Sequence, residues 1–164
     1  MDNDAARELE AIRNTMASYN IAGDRMRLDE LAGTFAPHGV LETPTARMEG
    51  RDAILAGLGR GRESDAPAPN PRLGPTFVRH NLTTSLLDLT GEASAEGRSY
   101  FIVFTDIGPD HMGCYVDRLI KLDGRWLFDH RRVLIDWMSE QTLFPHLLEA
   151  HRARRAEVLA RRST

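Results

Sequence analysis

Hydrophobic residues recur at helical spacing in the first part of the chain. Between residues 4 and 22 they stand three and four positions apart, with polar residues between them. This spacing places the apolar side chains on one face of a helix, which we predict to end at Gly23. The apolar positions are Leu9, Ile12, Met16 and Tyr19.

Turn signals divide the next part of the chain into short elements. We predict a second short helix across Leu28 to Phe35, then a brief strand near Val40. A third helix follows, with Ala53, Ile54 and Leu58 as its buried positions. The stretch from Glu63 to Pro75 is rich in proline and has no periodicity, so we predict a mobile connection or a lid.

From Thr76 to Trp137 the pattern changes to four long strand-like runs separated by glycine-containing turns, which predicts an antiparallel meander. Alternation in the first run predicts that one set of side chains points to the interior. These residues are Val78, His80, Leu82, Thr84 and Leu86. Helices followed by strands indicate an α+β domain, with three N-terminal helices on one side of a curved mixed or antiparallel sheet.

The C-terminal stretch is amphipathic, with apolar positions on one side of a predicted helix and arginines on the other. We expect residues 141–164 to belong to the same domain as residues 1–140, and to dock on the sheet or on a neighbouring subunit. This helix or the Glu63–Pro75 loop is expected to close the mouth of a cavity. The apolar positions are Leu143, Phe144, Leu147, Leu148, His151, Val158 and Leu159.

Composition narrows the function classes. The chain has 164 residues, 41% hydrophobic and 27% charged, with a net charge of -3, which is typical of one soluble domain. Its N-terminus lacks an apolar signal core and its single cysteine is Cys114, so we expect a cytoplasmic protein without a nucleic-acid or membrane partner. The only lysine, Lys121, lies beside a turn signal, which disfavours Schiff-base chemistry.

Other cofactor chemistry is also disfavoured. No phosphate-binding glycine motif is present, and the histidines are too dispersed for a compact metal site. We therefore expect no cofactor and no metal. Two histidines adjoin aspartates, in Asp110-His111 and Asp129-His130, and we interpret both pairs as turn or strand-surface residues.

His80 and Asp24 are the candidate chemical groups. A histidine on an interior strand face needs partners for its ring nitrogens, either a backbone carbonyl or a carboxylate. Asp24 follows the first predicted helix, where it either caps the next helix or delivers a carboxylate to the end of the sheet, five residues after Tyr19. The residues alone leave both alternatives open.

Four segments resemble the SnoaL-like branch of the nuclear transport factor two-like superfamily. They are residues 12–42, EGRDAI, RHNLTT and the stretch from Tyr115 to Trp137. The resemblance implies a cone-shaped α+β barrel around a deep apolar cavity, and a homodimer or homotrimer. It also implies that Asp24 pairs with His80, and it matches Tyr19 and Asp106 to further catalytic residues of bile-acid dehydratases.

This resemblance implies a cofactor-independent lyase, with dehydration as the leading reaction on a small apolar, aromatic or steroid-like substrate. We expect Tyr115, Phe104 and Trp137 to contact that substrate, and Tyr19 or Tyr115 to donate a hydrogen bond to the developing enolate or the departing hydroxyl. The alternatives are a non-catalytic ligand-binding or structural subunit, and an isomerase or polyketide cyclase.

Overall fold

The computed structural model describes residues 3–59 and 75–162. All but Pro75 of the predicted Glu63–Pro75 loop lies outside these residues. The helices are α1 (Asn3–Asp24), α2 (Leu28–Ala32), α3 (Arg51–Gly59) and α4 (Pro145–Arg162). The strands are β1 (Phe35–Glu42), β2 (Arg47–Glu49), β3 (Arg79–Gly91), β4 (Ser94–Thr105), β5 (Gly108–Leu122) and β6 (Arg125–Met138).

The six strands form one mixed sheet in the order β2-β1-β6-β5-β4-β3. Strands β3 to β6 are the predicted antiparallel meander, while β1 joins β6 in parallel. The sheet is open, since β2 and β3 are its two edges. The predicted α+β class, with three N-terminal helices on a mixed sheet and a C-terminal helix, is confirmed.

The second helix is shorter than predicted. It ends at Ala32, and Phe35, which we assigned to it, begins β1 instead. The Gly33 N–H donates to Asp29 O at 2.9 Å and the Thr34 hydroxyl donates to Leu31 O at 2.6 Å. These bonds satisfy carbonyls at the helix end, where no further turn of helix is present to do so.

The main hydrophobic core lies between the helices and the inner face of the sheet. Side chains from α1, α2, α3 and all six strands are buried there, because each element turns its apolar positions to this layer. The apolar periodicity of the sequence predicts the buried faces of α1 and α3 correctly. The fully buried residues of the core include Ile12, Met16, Phe35, Leu41, Ile54, Leu119 and Phe128.

The simple alternation predicted for β3 fails in the middle of the strand. His80 and Leu82 pair with Val103 and Phe101 on the inner face, but the register shifts between Leu82 and Ser85. A one-residue shift moves every later side chain to the opposite face. Leu86 is therefore 66% exposed, and its neighbour Leu87 is buried in its place.

The chain leaves β6 and crosses the end of β5 before α4 begins. Ser139 N–H donates to Asp110 O at 2.8 Å, and this contact fixes the crossing. In α4, His151 is buried whereas Val158 and Leu159 are exposed, so the predicted apolar side is only partly covered. None of the helices described is both long and apolar enough to cross a membrane.

Candidate functional site

The end of α1 places a carboxylate directly against β3. Oδ1 of Asp24 lies 2.6 Å from Nδ1 of His80, and the backbone N–H of His80 lies 3.2 Å and 3.1 Å from the two carboxylate oxygens. The Asp24 side chain is 9% exposed and the His80 side chain 24%. One carboxylate thus fixes both the backbone and the ring of the same histidine.

Asp24 does not cap the following helix. The residue at the N-cap of α2 is Arg27, which makes no capping side-chain bond. As the last residue of α1, Asp24 also stands at the negative end of that helix dipole, where a carboxylate is disfavoured by about 0.3–1 kcal/mol. Local helix energetics therefore do not account for an aspartate here, whereas its bonds to His80 do.

The contact with Asp24 determines how the imidazole can react. A neutral ring that donates its Nδ1 proton to a carboxylate keeps an acceptor lone pair on Nε2. Within the described residues, Nε2 of His80 has no hydrogen-bond partner. The arrangement leaves His80 able to take a proton through Nε2 while Asp24 stabilises the resulting positive charge.

A row of aromatic rings extends from His80 along the inner face. Phe101 lies 6.3 Å from His80, centroid to centroid, and stacks on Tyr115 at 4.5 Å. Tyr115 meets Tyr19 edge to face at 6.1 Å. The structure therefore brings Tyr19 and Tyr115, two predicted site residues, to the side of the sheet that carries His80.

A buried ion pair lies against the two phenols. Arg131 donates to both carboxylate oxygens of Asp117, at 2.9 and 2.7 Å, and both side chains are fully buried. The guanidinium carbon is 4.3 Å from the ring centroid of Tyr19 and 4.2 Å from that of Tyr115. Among described residues, Nη1 of Arg131 is buried without a hydrogen-bond partner.

Burial sets the ionisation of the two phenols, whereas Asp117 sets that of Arg131. Burial raises the pKa of Tyr19, and the pKa of Tyr115 well above its usual range, although the nearby Arg131 cation opposes both shifts. For Arg131, burial alone would lower the pKa, but the carboxylate of Asp117 outweighs it and the pKa is raised. At neutral pH the phenols keep their protons and the guanidinium keeps its charge.

A second Asp-His pair, which we interpret from the sequence as turn or strand-surface residues, faces the first. Nδ1 of His111 lies 2.8 Å from Oδ1 of Asp110, and both residues are buried, not at the surface as predicted. The His111 ring lies 6.4 Å from that of His80. Strand parity could have shown this, because His111 is in phase with Tyr115, which we did place near the substrate.

The structure separates three other predicted residues from the dyad. Asp106 lies in the exposed turn after β4, where it accepts a 2.7 Å bond from the N–H of Thr76. Phe104 and Trp137 are 36% and 41% exposed on the outer face of the sheet. Phe104 directly follows the buried Val103 on β4, and Trp137 pairs with the exposed Met112 rather than with an inward residue, so strand alternation accounts for both positions.

Two cavities formed by described residues lie away from Asp24 and His80. One of about 170 Å³ lies between α4 and the strands β1 and β6, and another of about 400 Å³ lies on the outer face near Arg98 and Arg132. Neither is lined by Asp24 or His80. Within the same residues, no three His, Cys, Asp or Glu side chains form a metal-binding group.

Solved structures with the same fold extend over most of the chain. A protein of unknown function from Mycobacterium tuberculosis matches with a TM-score of 0.72 and 25% identity, over 92% of each chain. A protein assigned as a scytalone dehydratase from Novosphingobium aromaticivorans matches with a TM-score of 0.69 and 24% identity, over 85% of this chain and 91% of that one. A hexachlorocyclohexane dehydrochlorinase from Novosphingobium barchaimii matches with a TM-score of 0.67 and 14% identity, over 85% and 93%.

The similarity to these structures shows a shared fold. No curated protein sequence matches the chain. The sequence itself matches the model of the SnoaL-like domain over residues 4–132, from α1 into β6. That span holds Tyr19, Asp24, His80, His111 and Arg131. The chain therefore belongs to the SnoaL-like domain family, within the nuclear transport factor two-like superfamily.

Proposed function

We propose that this protein is a cofactor-independent lyase that eliminates water from a small, apolar cyclic substrate. The 2.6 Å contact between Nδ1 of His80 and Oδ1 of Asp24 carries this proposal, because it leaves Nε2 of His80 as a proton acceptor. His80 removes a proton from a carbon next to a carbonyl, and Asp24 holds the tautomer and stabilises the imidazolium. A positioned base of this kind contributes roughly 10²- to 10⁴-fold to the rate.

The buried phenols support the second half of the reaction. Proton removal next to a carbonyl creates negative charge on oxygen, which hydrogen-bond donors stabilise strongly in a site without water. Tyr19 and Tyr115 hold their protons and lie beside the Arg131 guanidinium, whose charge makes each phenol a better donor. We assign one of these hydroxyl groups to the developing enolate.

The side chains near His80 favour an apolar substrate. Phe101, Val103 and Tyr115 form a buried cluster that Leu82 and Val133 extend. The structural neighbours include proteins described as a dehydratase and a dehydrochlorinase, both of which are elimination enzymes by name. These names support an elimination, and the apolar lining supports a cyclic or aromatic skeleton as its substrate.

A turnover screen with cyclic β-hydroxy ketones tests the proposal. Loss of water yields a conjugated enone, whose ultraviolet absorbance reports the rate, and His80→Ala is expected to lower kcat roughly 10²- to 10⁴-fold. His38→Ala is the matched control, because His38 is an exposed histidine paired with Asp129 at 3.6 Å, away from Asp24. Full activity of a folded His80→Ala variant would overturn the mechanism.

The same screen separates the alternative functions. Incorporation of solvent deuterium next to the carbonyl without loss of water would indicate an isomerase or a cyclase that shares the proton-abstraction step. Saturable binding without either reaction would instead indicate a ligand-binding subunit. Because the ring of His80 is bonded to a carboxylate and not to a backbone carbonyl, the geometry favours chemistry over binding alone.

A further inference from the structure

We propose that His111, oriented by Asp110, is a second acid-base residue of this site and protonates the leaving group while His80 acts as the base. The inference rests on the proposed function, since it assigns the other proton transfer of the same elimination. The Asp24-His80 pair by itself does not require a second acid-base residue. The inference depends on a separate set of contacts that Asp110 and His111 make on β5.

The two histidines are equivalent in their bonding and face each other. Each uses Nδ1 to contact an aspartate, at 2.6 Å for His80 and 2.8 Å for His111. Their ring centroids are 6.4 Å apart and the rings meet nearly at right angles, at 82°. In the part of the chain that the structure describes, neither Nε2 has a hydrogen-bond partner.

The carboxylate that holds His111 is itself fixed by several donors. Besides the ring of His111, Asp110 accepts bonds from the hydroxyls of Thr105 and Thr142, at 3.2 and 2.6 Å, and from the N–H of Leu143 at 3.0 Å. Burial alone would raise the pKa of Asp110, but the bonds from Thr142, His111 and Leu143 outweigh it and lower the pKa. Asp110 therefore stays ionised and holds one orientation of the imidazole.

A purely structural role explains only part of this arrangement. Thr142 and Leu143 are sufficient to anchor the chain between β6 and α4 on Asp110, and neither contact involves the imidazole. His111 lies between the rings of Phe101, Phe144 and His80, at 6.1, 5.3 and 6.4 Å. Burial lowers the pKa of His111 although the bond to Asp110 opposes this shift, so the protonated ring is a stronger acid.

The two proton transfers balance in one elimination. Nε2 of His80 takes the proton from the carbon next to the carbonyl, and the electron pair of that C–H bond forms the new C=C bond. The C–O bond breaks, and the departing oxygen takes the proton from Nε2 of the protonated His111, which releases water. The proton then returns from His80 to His111, and the pair is ready for another turnover with one shared proton.

Leaving-group dependence tests this assignment. On one carbon skeleton, such as cyclohexanone, the β-hydroxy compound needs a proton on its leaving group, whereas the β-chloro compound loses chloride without one. We expect His111→Asn, whose amide can still donate to Asp110, to lower the ratio of kcat for the hydroxy probe to kcat for the chloro probe by roughly 10²-fold or more. His38→Asn, the same change at an exposed histidine, should leave the ratio unchanged, and His80→Ala should lower both rates.

A second measurement uses the unaltered protein and does not depend on how the variant folds. On the hydroxy probe, kcat should fall as pH rises and His111, whose pKa burial holds below the usual 6.5, loses the proton that it gives to the leaving group. On the chloro probe this fall with rising pH should be absent. Equal effects of His111→Asn on both probes, or the same fall with rising pH for both, would overturn the role of His111 alone. Failure of the unaltered protein to turn over either probe would overturn the proposed function and this inference together.

Discussion

Asp24 binds His80 at two points, through the ring Nδ1 at 2.6 Å and through the backbone N–H at 3.1 and 3.2 Å. The residues are 56 positions apart, so this contact joins the end of α1 to the start of β3. The donors of His80 offset the unfavourable position of the Asp24 carboxylate at the negative end of the α1 dipole. The pair is thus a structural link as well as an oriented base.

Asp24→Asn should lower turnover far more than it lowers stability. The amide oxygen can still accept from the backbone N–H of His80, but an amide no longer favours the tautomer with a proton on Nδ1, nor does it stabilise an imidazolium. We expect kcat to fall roughly 10²- to 10⁴-fold. Histidine nitrogen chemical shifts should show the change of tautomer, and an unaltered tautomer with full activity would contradict the orienting role.

The sequence predicts the fold well where one local period governs an element. The three- and four-residue spacing of Ile12 and Met16 located α1, and glycine turns located the meander. Local sequence patterns fail to predict the facing or the boundary of an element where a tertiary contact or a strand irregularity determines it. The register shift in β3 turned Leu86 outward, and the boundary of α2 depended on bonds from Gly33 and Thr34.

The candidate site is predictable from the sequence only where the period of a helix or a strand places a residue. Tyr19 and His80 lie on the inner sides of α1 and β3, which periodicity indicates, whereas the partner of His80 came only from the family resemblance. Asp106 is matched only through the family resemblance and lies in a turn, whereas Trp137 is assigned without knowledge of its strand phase. Two adjacent polar residues look like a turn, so Asp110 and His111 are interpreted as surface residues; strand parity places His111 inward, and the β6–α4 connection binds Asp110.

Removal of one charge from the buried pair of Asp117 and Arg131 should lower the unfolding free energy strongly. Asp117→Asn leaves a buried guanidinium that lacks its counter-charge, and removal of one partner of such a pair costs about 3–5 kcal/mol of unfolding free energy. Urea unfolding followed by circular dichroism measures this. The matched control is Asp129→Asn, which removes the partner of the exposed Arg118, 3.5 Å away.

That control should cost less than about 1 kcal/mol, because exposed ion pairs contribute little. The double variant Asp117→Asn with Arg131→Met should recover part of the loss, since it removes the unpaired charge as well. Similar losses for Asp117→Asn and Asp129→Asn would show that burial does not set the strength of the pair.

His111 should make the protein less stable as pH falls below neutrality. Burial lowers its pKa in the folded state below the model value of 6.5, so between the two values the unfolded chain binds a proton that the folded chain does not. Stability conferred by neutral His111 is therefore complete above about pH 6.5 and declines as pH falls towards the folded-state pKa. His111→Asn should flatten the unfolding free energy between pH 7 and the acidic limb, whereas the exposed His38→Asn should not.

Gly113 should be intolerant of a side chain because β5 and β6 approach closely there. A Cβ at this position would lie 1.9 Å from the backbone O of Leu134, and the register shifts at this point, between Met112 and Gly113. Gly113→Ala must push the strands apart between His111 and Tyr115, so we expect a loss of about 1–3 kcal/mol in unfolding free energy together with loss of turnover. Gly59→Ala is the control, since its nearest neighbour, Leu28 Cδ1, is 4.0 Å away and alanine suits a helix at least as well. An equal response of the two variants would contradict the close strand approach beside His111.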